Sequence, residues 1–214
     1  MPYSNQGLDY FGGWSDNRGM KMIENYIYMY HTDTFIVIPT FPDALSDTLS
    51  VNFAQSTPLA RTAPIYSYQN SGPRTMQFSF KLQRELMQAV NKRTSNVKVD
   101  IGNDYVDTLI KEVQAIALPK YTEATKMVNP PIIAVRIGDD VFIKGIVQGA
   151  VTVSYATPII PAFDDRSKSR YSIVDVGFTV AEIDPYDAES IIREGSFRGL
   201  NRTLERRIYR TNGG

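Results

Sequence analysis

The chain has 214 residues, 43% of them hydrophobic, and its 23 basic and 23 acidic residues give a net charge of zero. It has no cysteine and one histidine, His31, which excludes disulfide frameworks, thiolate zinc sites, cysteine nucleophiles and paired-histidine metal sites. No apolar run approaches the roughly 20 residues that span a bilayer, and the first residues lack a secretory-signal pattern. We therefore expect a protein that folds in a cytoplasm without membrane anchoring.

Residues 1–34 form a segment that is rich in aromatic side chains and glycine but poor in aliphatic periodicity. Such a segment cannot build its own core, yet it has too many rings for a solvated, disordered tail. We interpret it as an N-terminal arm that packs on a neighbouring molecule; an arm folded back on its own domain remains the alternative. The residues expected to make the contacts of this arm are Tyr10, Trp14, Tyr26 and Tyr28.

Short strands are predicted after the arm. Phe35–Pro39 is a short apolar strand, a turn follows at 40–47, and apolar side chains then alternate with polar ones over 49–54. A proline-containing extended stretch ends in the turn composition Ser71-Gly72-Pro73. The alternation over 76–82 gives the clearest strand of this half.

One amphipathic helix is predicted over residues 104–118. Tyr105, Leu109 and Val113 recur at helical spacing, and we expect Asp104 with Asp107 to act as a capping box. Because the helix lies between two β-rich regions, we expect it to flank the sheet and cover one of its faces. We also expect Tyr105, Leu109 and Val113 to contribute to contacts with neighbouring subunits. A second, short helix is predicted from residue 185 to residue 193.

The C-terminal half reads as a β-meander. Two apolar runs flank a tight turn at Gly138-Asp139-Asp140, and Gly145 and Gly149 lie inside apparent strands, where glycine marks a bulge or a close backbone approach. Residues 158–170 contain two prolines and several charges, so we expect a solvated hairpin arm that leaves the sheet. The strand residues expected to face neighbouring subunits are Val151, Val153, Tyr155, Val176 and Phe178.

Residues 193–214 form a basic C-terminal extension, because six arginines stand against two glutamates for a net charge of +4. We favour an ordered basic strip that docks on an acidic partner subunit; contact with nucleic acid and a frayed tail are the alternatives. The arginines expected to make these contacts are Arg198, Arg202, Arg206 and Arg207.

The acidic clusters favour structural roles. Asp139-Asp140, Asp164-Asp165 and the pair Asp184 and Asp187 each lie beside glycine or proline, where aspartate stabilises turns. His31 has no second histidine or nucleophile motif nearby and is interpreted as a packing or hydrogen-bonding residue. We therefore predict no catalytic residue, no cofactor and no metal site.

Several segments together resemble a known family. The chain is similar to the tube and baseplate-hub proteins of contractile phage tails and related injection systems over Phe35 to Pro185. The matching segments are Ser71-Gly72-Pro73-Arg74-Thr75, Pro130-Pro131-Ile132, Gly138-Asp139, Phe142-Ile143-Lys144-Gly145, Val151-Thr152-Val153-Ser154-Tyr155 and the run from Val176 to Asp184.

The resemblance implies an α+β, mainly β fold: a tail-tube-like antiparallel β-barrel or sandwich over residues 35–192, with one flanking helix and extended arms. It also implies a non-catalytic virion protein at the baseplate end of the tail, in a ring, taken as hexameric, that contacts adjacent tube and hub proteins and lets DNA pass through its channel. The two arms depart from a plain tube subunit and suit a tube initiator or hub connector. Some relatives end in a peptidoglycan-binding module, and we do not expect one here because few residues follow Gly195.

Two other functions stay open. One is a carbohydrate- or cell-envelope-binding β-module that uses exposed tyrosines and Trp14 as sugar platforms. The other is a hydrolase that uses the aspartate clusters around Asp139, Asp164 and Asp184.

Overall fold

A computed structural model describes residues 25–38, 40–59, 62–87, 104–122, 127–138, 140–162, 166–184 and 187–194. The strands in these ranges are β1 (Asn25–Met29), β2 (Thr34–Val37), β3 (Ala44–Ser56), β4 (Ile65–Gln83), β5 (Lys120–Thr122), β6 (Met127–Asn129), β7 (Ile132–Ile137), β8 (Val141–Pro161) and β9 (Ser169–Glu182). The helices whose bounds lie within these ranges are α1 (Tyr105–Ala115) and α2 (Ala188–Glu194).

Seven of the strands form one antiparallel sheet in the order β2-β1-β7-β8-β9-β4-β3, and β5 and β6 form a separate two-stranded ribbon. The α+β, mainly β class is therefore confirmed. The closure of this sheet into a barrel is not: within the described residues the strand order is linear, and β2 and β3 are its edges.

The predicted meander is confirmed, because β7, β8 and β9 follow one another in the chain and are neighbours in the sheet. Gly145 and Gly149 were expected to mark a bulge or a close backbone approach, and both do. A Cβ atom at Gly145 would lie 2.0 Å from the carbonyl oxygen of Ala181, so only glycine allows this close approach. Gly149 has φ +80° and lies at a register shift between β8 and β9, which is a bulge.

The main core lies between the sheet and α1. Side chains from β1, β2, β4, β7, β8 and β9 pack with those of α1 in one buried cluster. Three phenylalanine rings stack at its centre: Phe78 lies 5.3 Å from Phe178 and 6.4 Å from Phe80 between ring centroids. The flanking helix is therefore confirmed, and its apolar stripe covers the sheet as expected.

The N-terminal arm was predicted to extend to residue 34, but β1 lies inside the sheet between β2 and β7. Ile27 and Met29 face the main core, whereas Tyr26 and Tyr28 are buried in a second cluster with Ala134 and other residues. Both sets of side chains are buried, so β1 lacks the apolar and polar alternation of a half-exposed strand. This is why the sequence did not reveal the strand.

The hairpin arm expected at residues 158–170 is shorter than predicted. β8 pairs with β9 as far as Pro161 and Ser169, so both ends of the expected arm belong to the ladder. A register shift between Ala156 and Ile159 places Pro158 at an irregular position, and proline is tolerated at bulges because it has no amide hydrogen to donate.

The turn predicted at Ser71-Gly72-Pro73 is also wrong, because these residues lie within the continuous strand β4. The chain reverses instead between Ser56 and Ile65. The ladder between β3 and β4 is irregular opposite the glycine and the proline, where Leu49 pairs with Arg74 but Val51 pairs with Ser71. The turn composition therefore produces a bulge in a strand.

Both predicted helices are observed, with different capping from that expected at α1. The Asp104 side chain caps α1 by accepting a hydrogen bond from the amide of Val106 at 2.9 Å. Asp107 does not complete a capping box; its carboxylate pairs with two arginines instead. At α2, Asp187 and Ser190 exchange side-chain and backbone hydrogen bonds of 2.7 and 3.0 Å, which lowers the pKa of Asp187.

Candidate interaction surface

Most of the strand and helix residues expected to face neighbours are in the core of their own chain. The buried ones are Tyr105, Leu109, Val113, Val176 and Phe178, and Val151 and Val153 are partly buried against the same core. Of this set, Tyr155 is exposed. Apolar periodicity correctly marked these side chains as buried, but it could not tell burial within the chain from burial by a partner.

The arms carry the other predicted contacts. Tyr26 and Tyr28 are buried in β1, and the Tyr28 hydroxyl donates to Asp33 at 2.6 Å. The remaining predicted contact residues lie outside the described residues: Tyr10, Trp14, Arg198, Arg202, Arg206 and Arg207.

The described residues include a two-stranded ribbon with exposed apolar side chains, whose exposure the sequence analysis did not predict. The pairing of β4 with β9 ends at Thr75 and Ala181, whereas β3 and β4 stay paired as far as Ser56 and Ile65. Residues 49–56 and 65–74 therefore extend beyond the sheet, and we call them the ribbon. Its exposed apolar side chains are Leu49, Val51, Phe53, Ile65, Tyr66 and Tyr68.

The apolar side chains of the ribbon share one face near its middle. Phe53 is directly opposite Tyr68 in the ladder, and their rings meet edge to face with centroids 5.6 Å apart. Phe53 is 54% exposed and Tyr68 is 59% exposed. Two large rings left this open to water are typical of a surface that a partner covers.

A second open edge lies on β8. The pairing of β7 with β8 ends at Ile146, and within the described strands nothing pairs with this side of β8 beyond that residue. We call residues 149–157 the β8 edge, because Pro158 limits further pairing. Tyr155 is exposed here, and its ring lies 5.8 Å from that of Tyr171 on β9.

Apart from Arg74 at the base of the ribbon, neither the ribbon nor the β8 edge carries a charged residue. Residues 48–56 of β3, residues 65–73 of β4 and the β8 edge contain no Asp, Glu, Lys or Arg. Monomeric proteins commonly protect exposed strand edges with charges, especially lysine, because unpaired ladder groups recruit other strands. Long edges without this protection indicate surfaces that pair with another chain.

A polar groove of about 540 Å³ lies on the other face of β4, β8 and β9. Gln77 and Ser79 alternate with the buried phenylalanines of β4, so they point away from the core. Thr152 donates to the carbonyl oxygen of Gly177 at 3.1 Å. Hydroxyl and amide groups line the groove together with apolar atoms, and among the described residues that line it Asp175 is the one with a charge.

Ion pairs fix the junctions between elements. Arg84 is buried and contacts Asp104 at 2.6 Å and Asp107 at 2.8 Å, and its Nε donates to the carbonyl oxygen of Tyr171 at 2.7 Å. Arg170 also pairs with Asp107. These contacts join the end of β4, the start of α1 and β9.

A second set of charges lies at the start of β8. Lys144 Nζ is 3.2 Å from Asp184 and 5.8 Å from the centroid of the Tyr30 ring. Burial raises the pKa of Tyr30, and the positive charge of Lys144 partly offsets this. Asp184 thus serves an ion pair, whereas Asp139, Asp164 and Asp165 lie outside the described residues.

Helix α1 carries two titratable groups with shifted pKa values. Burial raises the pKa of Tyr105, whose hydroxyl donates to the carbonyl oxygen of Val37 at 3.1 Å, and the charge of Glu112 raises it further. Desolvation also raises the pKa of Glu112 itself.

The described residues contain no group of three or more His, Cys, Asp or Glu side chains suited to holding a metal ion. His31 lies in the turn between β1 and β2, where its Nδ1 atom is buried without a hydrogen-bond partner. Within the same ranges, no helix has the length and apolar character needed to cross a bilayer.

Comparison with known proteins identifies no family for this chain. No protein-family model matches the chain, and no curated protein matches it. The ribbon and the β8 edge are therefore the features from which function is argued. The sequence did carry a signal for them, because Leu49, Val51 and Phe53 alternate in a stretch without charges, but alternation alone does not show that the face is exposed.

Proposed function

We propose that this chain is a structural subunit of a closed ring assembly. The observation that supports the proposal is the pair of long, charge-free strand edges, one on the ribbon and one on β8. The two edges differ from each other, so contact between them is heterologous, and heterologous contacts that close produce rings. Strand addition would satisfy the open ladder groups, and burial of Phe53 and Tyr68 would stabilise the contact.

Within this class, we propose a virion protein at the baseplate end of a contractile phage tail. It would initiate the tail tube or connect the tube to the central hub, in a ring taken as hexameric, without catalysis. The resemblance of the segments around Ser71-Gly72-Pro73 and Val151 to Tyr155 to tube and hub proteins supports this assignment.

In this proposal the seven-stranded sheet supplies part of a tail-tube-like barrel that is completed by strands of neighbouring subunits. The polar face with Gln77, Ser79 and Thr152 would line the channel, because the described residues that line the groove include no Lys or Arg to bind the phosphates of passing DNA. The aromatic segment before residue 25 and the basic segment after residue 192 would contact adjoining tube and hub proteins along the axis.

The test is the mass and shape of the purified protein by multi-angle light scattering and negative-stain imaging over a wide concentration range. We expect rings with a central hole and a mass that is an integral multiple of 24.1 kDa, six being the expected number. Val51→Lys places a charge on the open edge and should abolish the rings. Gln114→Lys lies on the exposed face of α1 and should not. A wild-type chain that stays monomeric at every concentration, also with purified tail tubes added, would contradict the proposal.

A second candidate function is carbohydrate binding, and the polar groove is the observation that favours it. Hydroxyl and amide groups with one carboxylate, Asp175, are suited to hydrogen bonding with sugars. The measurement is a glycan-array screen of the monomer with Asp175→Asn as the matched variant. Binding that Asp175→Asn removes would support this function over ring assembly.

A further inference from the structure

The ribbon leaves the sheet at a defined branch point on β4. Thr75 is the last residue that pairs with β9, and Arg74 is the first that pairs only with β3. Two register shifts in the β3–β4 ladder follow directly, between Leu49 and Val51 and between Asn52 and Phe53. Irregular pairing so close to the branch point lets the ribbon bend, so ladder continuity alone does not fix its direction.

A buried arginine bridges the three strands that meet at this point. The Arg74 side chain is 7% exposed, and its Nε and Nη2 atoms bind the Asp47 carboxylate of β3 at 3.0 and 2.7 Å. Its Nη1 atom lies 4.0 Å from the buried Glu182 carboxylate at the end of β9. One rigid guanidinium thus links the base of the ribbon to the strand from which the ribbon departs.

The two carboxylates differ in their surroundings. The Glu182 side chain is 4% exposed and belongs to the sheet, whereas the Asp47 side chain is 44% exposed and belongs to the strand that continues into the ribbon. The contact with Glu182 therefore holds Arg74 in the sheet, and the two-point contact with Asp47 sets the direction of the ribbon. A two-point contact constrains orientation as well as distance.

We infer that Arg74 is the positioning residue of the ribbon: with Asp47 and Glu182 it holds the ribbon in one orientation before assembly. This inference rests on the proposed function only for its consequence, which is faster and tighter association of copies. A ribbon ordered in advance loses less conformational freedom when it binds. The orientation itself is a property of the single chain and can be measured on the monomer.

The experiment measures the ribbon orientation directly. Because the chain has no cysteine, Gln55→Cys on the ribbon and Lys111→Cys on α1 give a unique pair for spin labels, and electron–electron double resonance gives their distance distribution. Wild type should show one narrow distance, whereas Arg74→Lys, which keeps the charge but cannot make the two-point contact with Asp47, should broaden it. Asp47→Asn leaves Arg74 beside Glu182, so it should fold and yet broaden the distribution.

A triple variant separates positioning from charge compensation. Arg74→Gln with Asp47→Asn and Glu182→Gln removes the arginine together with both carboxylates, so its melting temperature should lie closer to that of wild type than the melting temperature of Arg74→Gln alone. We expect a broadened distance distribution and an assembly concentration raised roughly tenfold. A narrow distribution in both Asp47→Asn and the triple variant would overturn the inference.

The two proposals fail in different ways. If the wild-type chain does not assemble but the distance distribution still broadens in Asp47→Asn, Arg74 positions the ribbon and the ring function is wrong. If the wild-type chain assembles and the distribution stays narrow in Asp47→Asn, the ring function holds and Arg74 has only a charge-compensating role.

Discussion

Replacing Phe53 by serine tests whether the ribbon is an assembly surface. The side chain is 54% exposed in the single chain, so about half of its burial is still to be gained from a partner. Complete burial of a phenylalanine contributes about 1.5–3 kcal/mol, which leaves about 1–1.5 kcal/mol for the contact between copies. Phe53→Ser should therefore weaken association by roughly tenfold.

The same substitution should change the stability of the monomer only slightly. It removes the edge-to-face contact with Tyr68, which contributes about 0.5–1.5 kcal/mol, and this corresponds to a fall in melting temperature of about 1–6 °C for a chain of this size. Sedimentation velocity over a concentration series measures association, and circular dichroism at low concentration measures melting.

Phe41 provides the matched control. It is 55% exposed, almost the same fraction as Phe53, but it lies in the loop between β2 and β3, outside the ribbon. Phe41→Ser should leave association unchanged. If Phe53→Ser and Phe41→Ser shift association equally, or if neither does, the ribbon is not the surface that joins copies.

The remaining predictions concern the fold. Arg84→Met leaves the buried carboxylate of Asp104 unpaired and should lower the free energy of unfolding in urea by about 3–5 kcal/mol. Gly145→Ala should prevent soluble folding in an expression and solubility assay, because its Cβ would meet the backbone of Ala181. Glu112→Gln should raise the melting temperature at pH 7 and have less effect at pH 4. The pKa of Glu112 is above its ordinary 4.5 in the fold, so wild-type stability falls as pH rises through that pKa.

Each of these three predictions has a control and a result that would contradict it. Lys81→Met breaks an exposed ion pair with Asp43 and should cost less than about 1 kcal/mol; an equal loss in Arg84→Met would mean that its buried pairs add nothing. Gly149→Ala meets no neighbour and should cost only about 1–2 kcal/mol for its positive φ, so equal solubility of the two alanine variants would refute the close approach. A stabilising effect of Glu112→Gln that does not change between pH 4 and pH 7 would exclude titration as its cause.

The local periodicity of apolar residues predicted the strands and helices that face water on one side and the core on the other. The alternation over 76–82 predicted the inner part of β4, and the spacing of Tyr105, Leu109 and Val113 predicted α1. Gly145 and Gly149 were recognised because glycine weakens a strand interior and therefore marks a bulge or a close backbone approach there. These features depend on residues close together in the chain.

The sequence was misleading where its signal had two physical meanings. Pro158 and the Ser71-Gly72-Pro73 stretch have turn composition, yet both lie in strands, because bulges use the same residues as turns. Tyr26 and Tyr28 resembled an arm, because a strand covered on both faces has no alternation to reveal it.

Sequence patterning thus determined the fold class, the flanking helix, the meander and the special glycines, since each rests on local periodicity or local backbone sterics. Only the tertiary structure decided which apolar faces the chain covers itself. Val176 and Leu49 both lie in strands with apolar alternation. Val176 is flanked by β4 and β8, whereas Leu49 lies beyond the end of β9. The pairing of Arg74 with Glu182 likewise joins residues far apart in the chain, because ion pairs follow from where the strands meet and not from their spacing.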